Sequence, residues 1–202
     1  MLAPEVGNLG ALLLHLSRVG FLDQPRTWPA HMDLGMTLTA ASGVLNLVLV
    51  SRANLDARIG ERKVKVLDPG AAAALSWVVP GAGHWFQGRR RRAVAVFVML
   101  VGLFLLGCML AQGANLDRER HFYYWAGQFL LGLPAVLTEF AYGHPRVTGD
   151  IPYVDAGIVL GCVAGMLNVL VMLDAYGWSE QRLQGEVAVP DRSAASEGEV
   201  PA

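Results

Sequence analysis

The chain has 202 residues, of which 53% are hydrophobic and only 16% are charged, and its formal net charge is −1. A soluble domain carries about a quarter charged residues, so this composition excludes an ordinary soluble globular protein. The near-zero net charge also disfavours nucleic acid as a partner, because binding a polyanion requires a strongly basic surface. We therefore expect an all-α, polytopic integral membrane protein, folded as a helical bundle in lipid.

Six apolar segments are candidates for crossing a membrane, because a crossing helix needs about 20 predominantly apolar residues. The segments 93–112 and 154–173 meet this requirement most clearly. The first segment contains His15 and Arg18, so a position at the membrane surface is an alternative for it. In chain order the segments are 6–22, 34–50, 71–87, 93–112, 123–142 and 154–173.

The segment 71–87 has two interpretations, because Pro80, Gly81 and Gly83 interrupt its last turns. The connectors on either side of it, 51–70 and 88–92, are both basic, and the positive-inside rule places both in the cytoplasm. That placement favours a segment that folds back, which leaves five crossings. A segment that crosses gives six, with the two connectors on opposite sides.

Two stretches of the chain, beginning at Asp33 and Asp155, repeat one apolar pattern of small residues followed by an asparagine. Glycines four residues apart share one helix face and let a neighbouring backbone approach closely. We interpret the asparagines as donors to other helices, the alternative being a polar lining for a substrate path. The predicted helix-packing residues are Gly35, Gly43 and Asn46 in the first stretch, and Gly157, Gly161, Gly165 and Asn168 in the second. We infer that 1–53 is a partial repeat of the helix pair 123–175.

A Pro-Gly-x-Gly turn, followed by aromatic residues and then by cations, lies at the centre of the chain. Trp85 and Phe86 suit the level of the lipid headgroups, and the run 89–92 consists of four arginines that can contact anionic headgroups. No Cys, His or carboxylate side chain lies at the sequence spacing of metal ligands from His84, so we expect neither a metal nor a cofactor. The hairpin and interface motif consists of Pro80, Gly81, Gly83, His84, Gly88 and Arg89.

This motif is similar to the signature of the two-helix transmembrane (TM2-type) domain. It more closely resembles the Leu-x-Pro-Gly-x-Gly-His-x-x-x-Gly-Arg hairpin of an uncharacterised bacterial integral-membrane family, a domain of unknown function. The closing segment of that family is matched by Gly165, Leu167, Asn168, Leu170, Asp174 and Ala175. The resemblance covers about 71–177 and implies no known activity. It implies a bacterial inner-membrane protein in which 71–87 crosses and the arginine run is cytoplasmic, so we take six crossings as the prediction.

The chain then divides into four parts by composition. These are the partial repeat 1–53, a basic connector 54–70, the family-like membrane domain 71–177, and an acidic tail 178–202 that we expect to be disordered.

We expect a non-catalytic protein with a structural, scaffold or assembly role, because packing faces are evident and a clustered site is not. The alternative is a small-solute transporter or channel component, since repeated helix pairs with a mid-membrane asparagine are typical of transporters. An intramembrane enzyme would have to use His84, His121, Glu139 or His144, and no catalytic spacing joins them. The expected partners are membrane lipid, a second copy of the chain or other membrane proteins.

Overall fold

The structure is a computed structural model that describes residues 31–59, 66–117, 121–142 and 149–187. Within these ranges the chain forms seven α-helices, one short 3-10 helix and no strand, which confirms the all-α prediction. The helices are α1 (Met32–Ile59), α2 (Pro69–Val78), α3 (Ala82–Phe86), α4 (Arg90–Ala111), α5 (Phe122–Phe129), α6 (Leu133–Tyr142) and α7 (Val154–Val187). The predicted segment 6–22, and with it most of the predicted repeat, lies outside the described residues.

Three of the helices, α1, α4 and α7, are long and apolar enough to cross a membrane. They coincide with three of the predicted segments. Helices α4 and α7 pack side by side in opposite directions, because Gly107 near the end of α4 lies beside Gly157 near the start of α7. At the other end of the pair, Arg92 of α4 contacts Asp174 of α7.

The segment 71–87 is a folded-back pair of helices, which we call the first hairpin. Helix α2 ends where Pro80 cannot continue it, and the chain reverses through Gly81, whose φ of 83° is left-handed. Helix α3 then packs against α2 so closely that Gly83 N donates a hydrogen bond to Ser76 Oγ at 3.1 Å.

Both ends of the first hairpin lie at the same end of the bundle. Asp68 caps the start of α2 and lies 3.6 Å from Arg52 of α1, measured from Oδ1 to Nε. Helix α7 reaches the same part of α1, because Tyr176 OH donates a hydrogen bond to Ser51 O at 3.2 Å. His84 of α3 contacts Asp174 of α7, two residues before Tyr176. We call this the basic end of the bundle; it is defined by Arg52, Asp68, Arg89 and Asp174.

The segment 123–142, predicted as one crossing helix, is also broken, and α5 and α6 form what we call the second hairpin. After α5 the chain turns through Gly132, whose φ is again 83°. Pro134 lies in the first turn of α6, where a helix tolerates its missing N–H. Trp125 Nε1 donates to Glu139 Oε2 at 3.1 Å, so α6 folds back beside α5.

The second hairpin enters and leaves at the end opposite the basic end. A pocket there is lined by Ala114, Asp117 and His121 together with Gly149, Asp150, Ile151 and Val154. The chain 143–148 can span at most about 25 Å. If 122–142 formed one straight helix, Tyr142 would lie about 30 Å from Phe122, at 1.5 Å per helical residue, and about as far from the pocket that Gly149 shares with His121. The connection is therefore possible only if α6 returns.

The structure does not confirm the prediction of six crossing segments, because two of them, 71–87 and 123–142, are each broken into two helices. Each helix of the two hairpins has ten residues or fewer, and ten helical residues rise about 15 Å, half the thickness of the hydrocarbon core. Hydropathy depends on composition and not on chain direction, so a broken pair of short helices and one long helix give the same apolar run.

Helix α7 packs against both α4 and α5 through its glycines. A Cβ added to Gly157 would lie 2.5 Å from Gly107 O, and a Cβ added to Gly165 would overlap Gly127 O. These contacts bring the helix axes close together around two apolar clusters. One contains Leu100, Phe104, Leu116, Leu131 and Ala164, and the other contains Ala40, Val44, Trp77, Trp125 and Phe129.

Helix α7 extends to Val187, so the predicted start of the disordered tail at 178 is wrong. Ser179 and Leu183 are buried against the rest of the bundle, and this burial stabilises the added turns. The remaining part of the predicted tail, 188–202, lies outside the described residues.

Replacing Gly165 with Ala is expected to lower the free energy of unfolding by about 1–3 kcal/mol, the usual cost of overpacking, because the new Cβ overlaps a main-chain carbonyl. Gly102 of α4 is the matched control, since open space surrounds it and alanine is the better helix former. Thermal unfolding in detergent measures both variants. Equal midpoints for Gly165→Ala and Gly102→Ala would contradict the packing described.

Candidate functional site

The tips of the two hairpins meet at Asn168, in the middle of α7. Its side chain is completely buried. Asn168 Nδ2 donates to Ser76 O at 3.2 Å and to Leu130 O at 3.0 Å. Ser76 lies in the last turn of α2 and Leu130 directly follows α5, so one amide group serves the ends of two short helices.

Proline explains why these two carbonyl groups need an outside donor. In a helix each carbonyl accepts from the N–H four residues later. The residue four positions after Ser76 is Pro80, and four positions after Leu130 it is Pro134, and proline has no N–H. Asn168 therefore supplies to both carbonyls the donor that proline removes.

The tips also touch directly, and glycine makes this possible. A Cβ at Gly132 would overlap Trp77 O and lie 3.1 Å from Val78 O. The Trp77 ring packs against the Phe129 ring, with centroids 5.6 Å apart at an angle of 56°. At this junction Trp77 Nε1 and Asn168 Oδ1 are buried without a hydrogen-bond partner in the described part of the chain. The junction is thus tightly packed, and its buried polar groups include these two atoms as well as the carbonyls bound by Asn168.

A second polar layer lies between the tips and the end opposite the basic end. Asn115 Nδ2 donates to Gln128 Oε1 at 2.7 Å, and Gln128 Nε2 donates back to Asn115 O at 2.9 Å. Gly161 of α7 packs on this pair, since its added Cβ would lie 2.9 Å from Gln128 Oε1. Sequence reasoning missed this pair; the signal available was a glutamine inside an apolar segment, which needs a partner in lipid.

At the basic end, three groups converge on one carboxylate oxygen. The buried His84 donates from Nε2 to Asp174 Oδ2 at 2.7 Å. Arg89 and Arg92 approach the same oxygen at 3.1 and 3.3 Å. This cluster ties the first hairpin and the start of α4 to α7.

Further contacts in the same layer extend this attachment. Gln87 Nε2 donates to Ala175 O at 2.6 Å and to Ser179 Oγ at 2.9 Å. The guanidinium of Arg89 lies 5.6 Å from the centre of the Trp178 ring, within the range of a cation–π contact. The hairpin motif and the closing motif of the sequence therefore meet in space, a pairing that sequence analysis did not foresee.

The predicted site residues fall into distinct places. Asn168 and the glycines of α7 lie at helix contacts, and the central motif forms the first hairpin and its exit. Gly88 has a φ of 84° in the exposed turn that leads into α4. In the first stretch, Gly43 is buried and Asn46 is half-buried, whereas Gly35 is exposed and an added Cβ there would meet no atom of the described residues within 4 Å, so its packing role stays a prediction.

The described residues hold no group of three His, Cys, Asp or Glu side chains arranged as a metal ion would require. Each of the candidate catalytic groups His84 and Glu139 has a structural partner, Asp174 and Trp125 respectively. His144 lies outside the described residues.

The model of a protein family described as a family of unknown function, DUF6677, matches residues 71–187, more than half of the chain. The chain belongs to the DUF6677 family. The DUF6677 region contains both hairpins, α4 and the whole of α7, so it includes every contact at Asn168 and Asp174. Helix α1 lies outside it. We find no significant match to a curated protein or to a solved structure.

Replacing Asn168 with Leu is expected to lower the free energy of unfolding by about 1–3 kcal/mol, because two buried carbonyls lose their only side-chain donor. Asn54→Leu, at an exposed position of α1, is the matched control and should leave stability nearly unchanged. Thermal unfolding of the purified protein in detergent provides the measurement. If Asn168→Leu is as stable as Asn54→Leu, the amide does not brace the hairpins.

Proposed function

We propose that this chain is a multi-pass protein of the bacterial inner membrane in which α1, α4 and α7 cross and the two hairpins are re-entrant. Three helices of sufficient length and apolarity support the crossings. Lipid tolerates non-helical backbone only where protein or a water-filled cavity surrounds it. The turns at Gly81 and Gly132 meet this condition, since both are buried within the bundle. Three crossings and two re-entrant hairpins thus take the place of five of the six crossings expected from the sequence; the other, 6–22, lies outside the described residues.

The distribution of charge supports a cytoplasmic basic end. In this topology the helix ends and connectors of the basic end carry ten lysine and arginine residues, Arg52, Arg58, Arg62, Lys63, Lys65, Arg89, Arg90, Arg91, Arg92 and Arg182, and the connectors of the opposite end carry three, Arg118, Arg120 and Arg146. The opposite end carries Asp117, Asp150 and Asp155. The positive-inside rule places the arginine-rich end in the cytoplasm. The two basic connectors that gave conflicting topologies in the sequence then lie on one side.

Cysteine labelling tests this topology in a background in which Cys108 and Cys162 are replaced by Ala. Arg58→Cys and Arg91→Cys precede and follow the first hairpin, and both should react with a membrane-impermeant maleimide only in inside-out vesicles. Asp150→Cys should react only in spheroplasts. Labelling of Arg58→Cys and Arg91→Cys from opposite faces would mean that 71–87 crosses the membrane.

We propose a structural role for the protein, as a scaffold or assembly factor without catalytic activity. The observation that carries this proposal is the closed junction at Asn168, where both hairpin tips bind one side chain and leave it no exposure. A group that is sealed in this way holds the fold together and has no access to a solute. The large apolar surface of α1, α4 and α7 remains for lipid, a second copy or another membrane protein.

The second candidate is a small-solute transporter or channel component. It is favoured by one observation, the order of elements: a hairpin followed by a long helix occurs twice, in α2–α4 and in α5–α7, and the two sets run in opposite directions. Inverted repeats with discontinuous helices that meet at mid-membrane are typical of secondary transporters. The repeat inferred from the sequence, between 1–53 and 123–175, is a separate hypothesis and stays a prediction.

Liposome flux separates the two functions. Purified protein in liposomes, loaded with a pH-sensitive dye or with potassium, is expected to show no flux above empty liposomes if its role is structural. A flux that Asn168→Leu abolishes and Asn54→Leu retains, with both variants folded, would contradict the structural proposal and establish the transporter.

A further inference from the structure

A cleft opens between the first hairpin and the first turns of α4, on the outer surface of the bundle. It encloses about 340 Å³, within the range of small-molecule sites. Its walls are apolar, and six of the residues that line it are Val79, Pro80, Trp85, Phe86, Val94 and Phe97. The last four of these expose a large part of their side chains. In a membrane such a cleft faces lipid.

The mouth of the cleft at the basic end is cationic. Arg90, Val94 and Phe97 are spaced as i, i+4 and i+7, so they follow one face of α4, with Arg90 nearest the basic end. The Arg90 guanidinium lies 5.4 Å from the centre of the Trp85 ring, which itself lines the cleft. The positive charge of Arg90 therefore lies at the mouth of an apolar cleft.

Two of the four consecutive arginines are available for a ligand. Arg89 and Arg92 are both engaged with Asp174. Arg90 and Arg91 are exposed, and neither forms a salt bridge with any residue in the described part of the chain. They also begin α4, where the positive end of the helix dipole favours an anion. An occupant of this site therefore combines an anionic group with an apolar chain.

We propose that this cleft binds an anionic phospholipid of the cytoplasmic leaflet, with one acyl chain between α3 and α4 and its phosphate at Arg90 and Arg91. The inference rests on the bilayer placement proposed above. It goes beyond general attraction to a charged membrane surface, because it assigns the headgroup and the acyl chain to one specific place.

A second apolar groove provides an internal comparison. It lies between α1, α2 and α7, encloses about 430 Å³, and includes Leu47 and Met172 in its walls. Its residues towards the basic end include Tyr176 and the acidic Glu180. A carboxylate at the mouth repels a phosphate, so this groove should not select anionic lipid.

Native mass spectrometry of delipidated protein in a neutral detergent tests the headgroup part of the proposal. The probes are phosphatidylglycerol and phosphatidylcholine with the same acyl chains. The wild-type protein should bind phosphatidylglycerol more tightly. Arg90→Gln should weaken that binding about fivefold, the effect of one arginine near a lipid headgroup. Arg58→Gln removes another exposed arginine, on α1 and outside the lining of the cleft, and should leave the affinity unchanged.

A groove-filling variant tests the acyl-chain part. Val94→Trp places a large ring in the cleft and should reduce binding of phosphatidylglycerol while every arginine remains. Val98→Trp, one turn further along α4 at an exposed position outside the cleft, is the matched control and should bind as the wild type does. Thermal unfolding establishes that both variants are folded. Because Arg90→Gln leaves the groove intact, the proposal stays testable if Val94→Trp does not fold.

Four results would overturn the proposal. Equal affinity for the two lipids would remove the headgroup selection, and equal weakening by Arg90→Gln and Arg58→Gln would reduce it to general surface charge. Unaltered binding in folded Val94→Trp, or displacement of the lipid by millimolar inorganic phosphate, would show that the cleft holds no chain. None of these results depends on the outcome of the cysteine-labelling or the liposome-flux experiment. Failure of the lipid proposal is therefore distinguishable from failure of the proposed function.

Discussion

The fold depends on one side-chain amide that replaces two missing main-chain donors. Proline residues at 80 and 134 leave Ser76 O and Leu130 O without their helical partners, and Asn168 Nδ2 binds both carbonyls. A buried carbonyl without a partner costs about 1–3 kcal/mol, so this donor stabilises the meeting of the two hairpins in an apolar interior. Because a single residue satisfies both, the hairpins are fixed relative to α7 and also relative to each other.

The close helix contacts follow from the position of that amide. Its side chain is short, so α7 must pass within hydrogen-bond distance of both tips, and Gly161 and Gly165 provide the space for α5 to do so. Gly157 does the same for α4 one turn earlier. The row of small residues and the asparagine that ends it thus act together. The cluster at Asp174 then holds the outer end of the first hairpin, so this hairpin is attached to α7 both at its tip and at its base.

The sequence predicted which segments are apolar helices better than it predicted where the chain reverses between them. The apolar length of α1, α4 and α7 and the small-residue face of α7 were readable because helical periodicity is local. The hairpins were not, since Pro134 permits either a kink within one helix or the start of a second. The choice between them depends on Trp125 reaching Glu139 and on where α7 begins, which are both distant in sequence. The partners of Asn168 are more distant still in sequence. That its amide needs hydrogen-bond acceptors was predictable, but which carbonyls accept from it was not.

The first hairpin connects the closed interior with the exposed surface. Its turn at Pro80 and Gly81 lies next to the carbonyl that Asn168 binds, and the same turn forms part of the wall of the outer cleft. Gly81 also packs on α4, where an added Cβ would lie 2.6 Å from Ala93 O. A molecule that fills the cleft therefore contacts the back of the turn whose inner side is braced by α7. The binding of a molecule in the cleft and the stability of the junction at Asn168 therefore both depend on the conformation of this one turn.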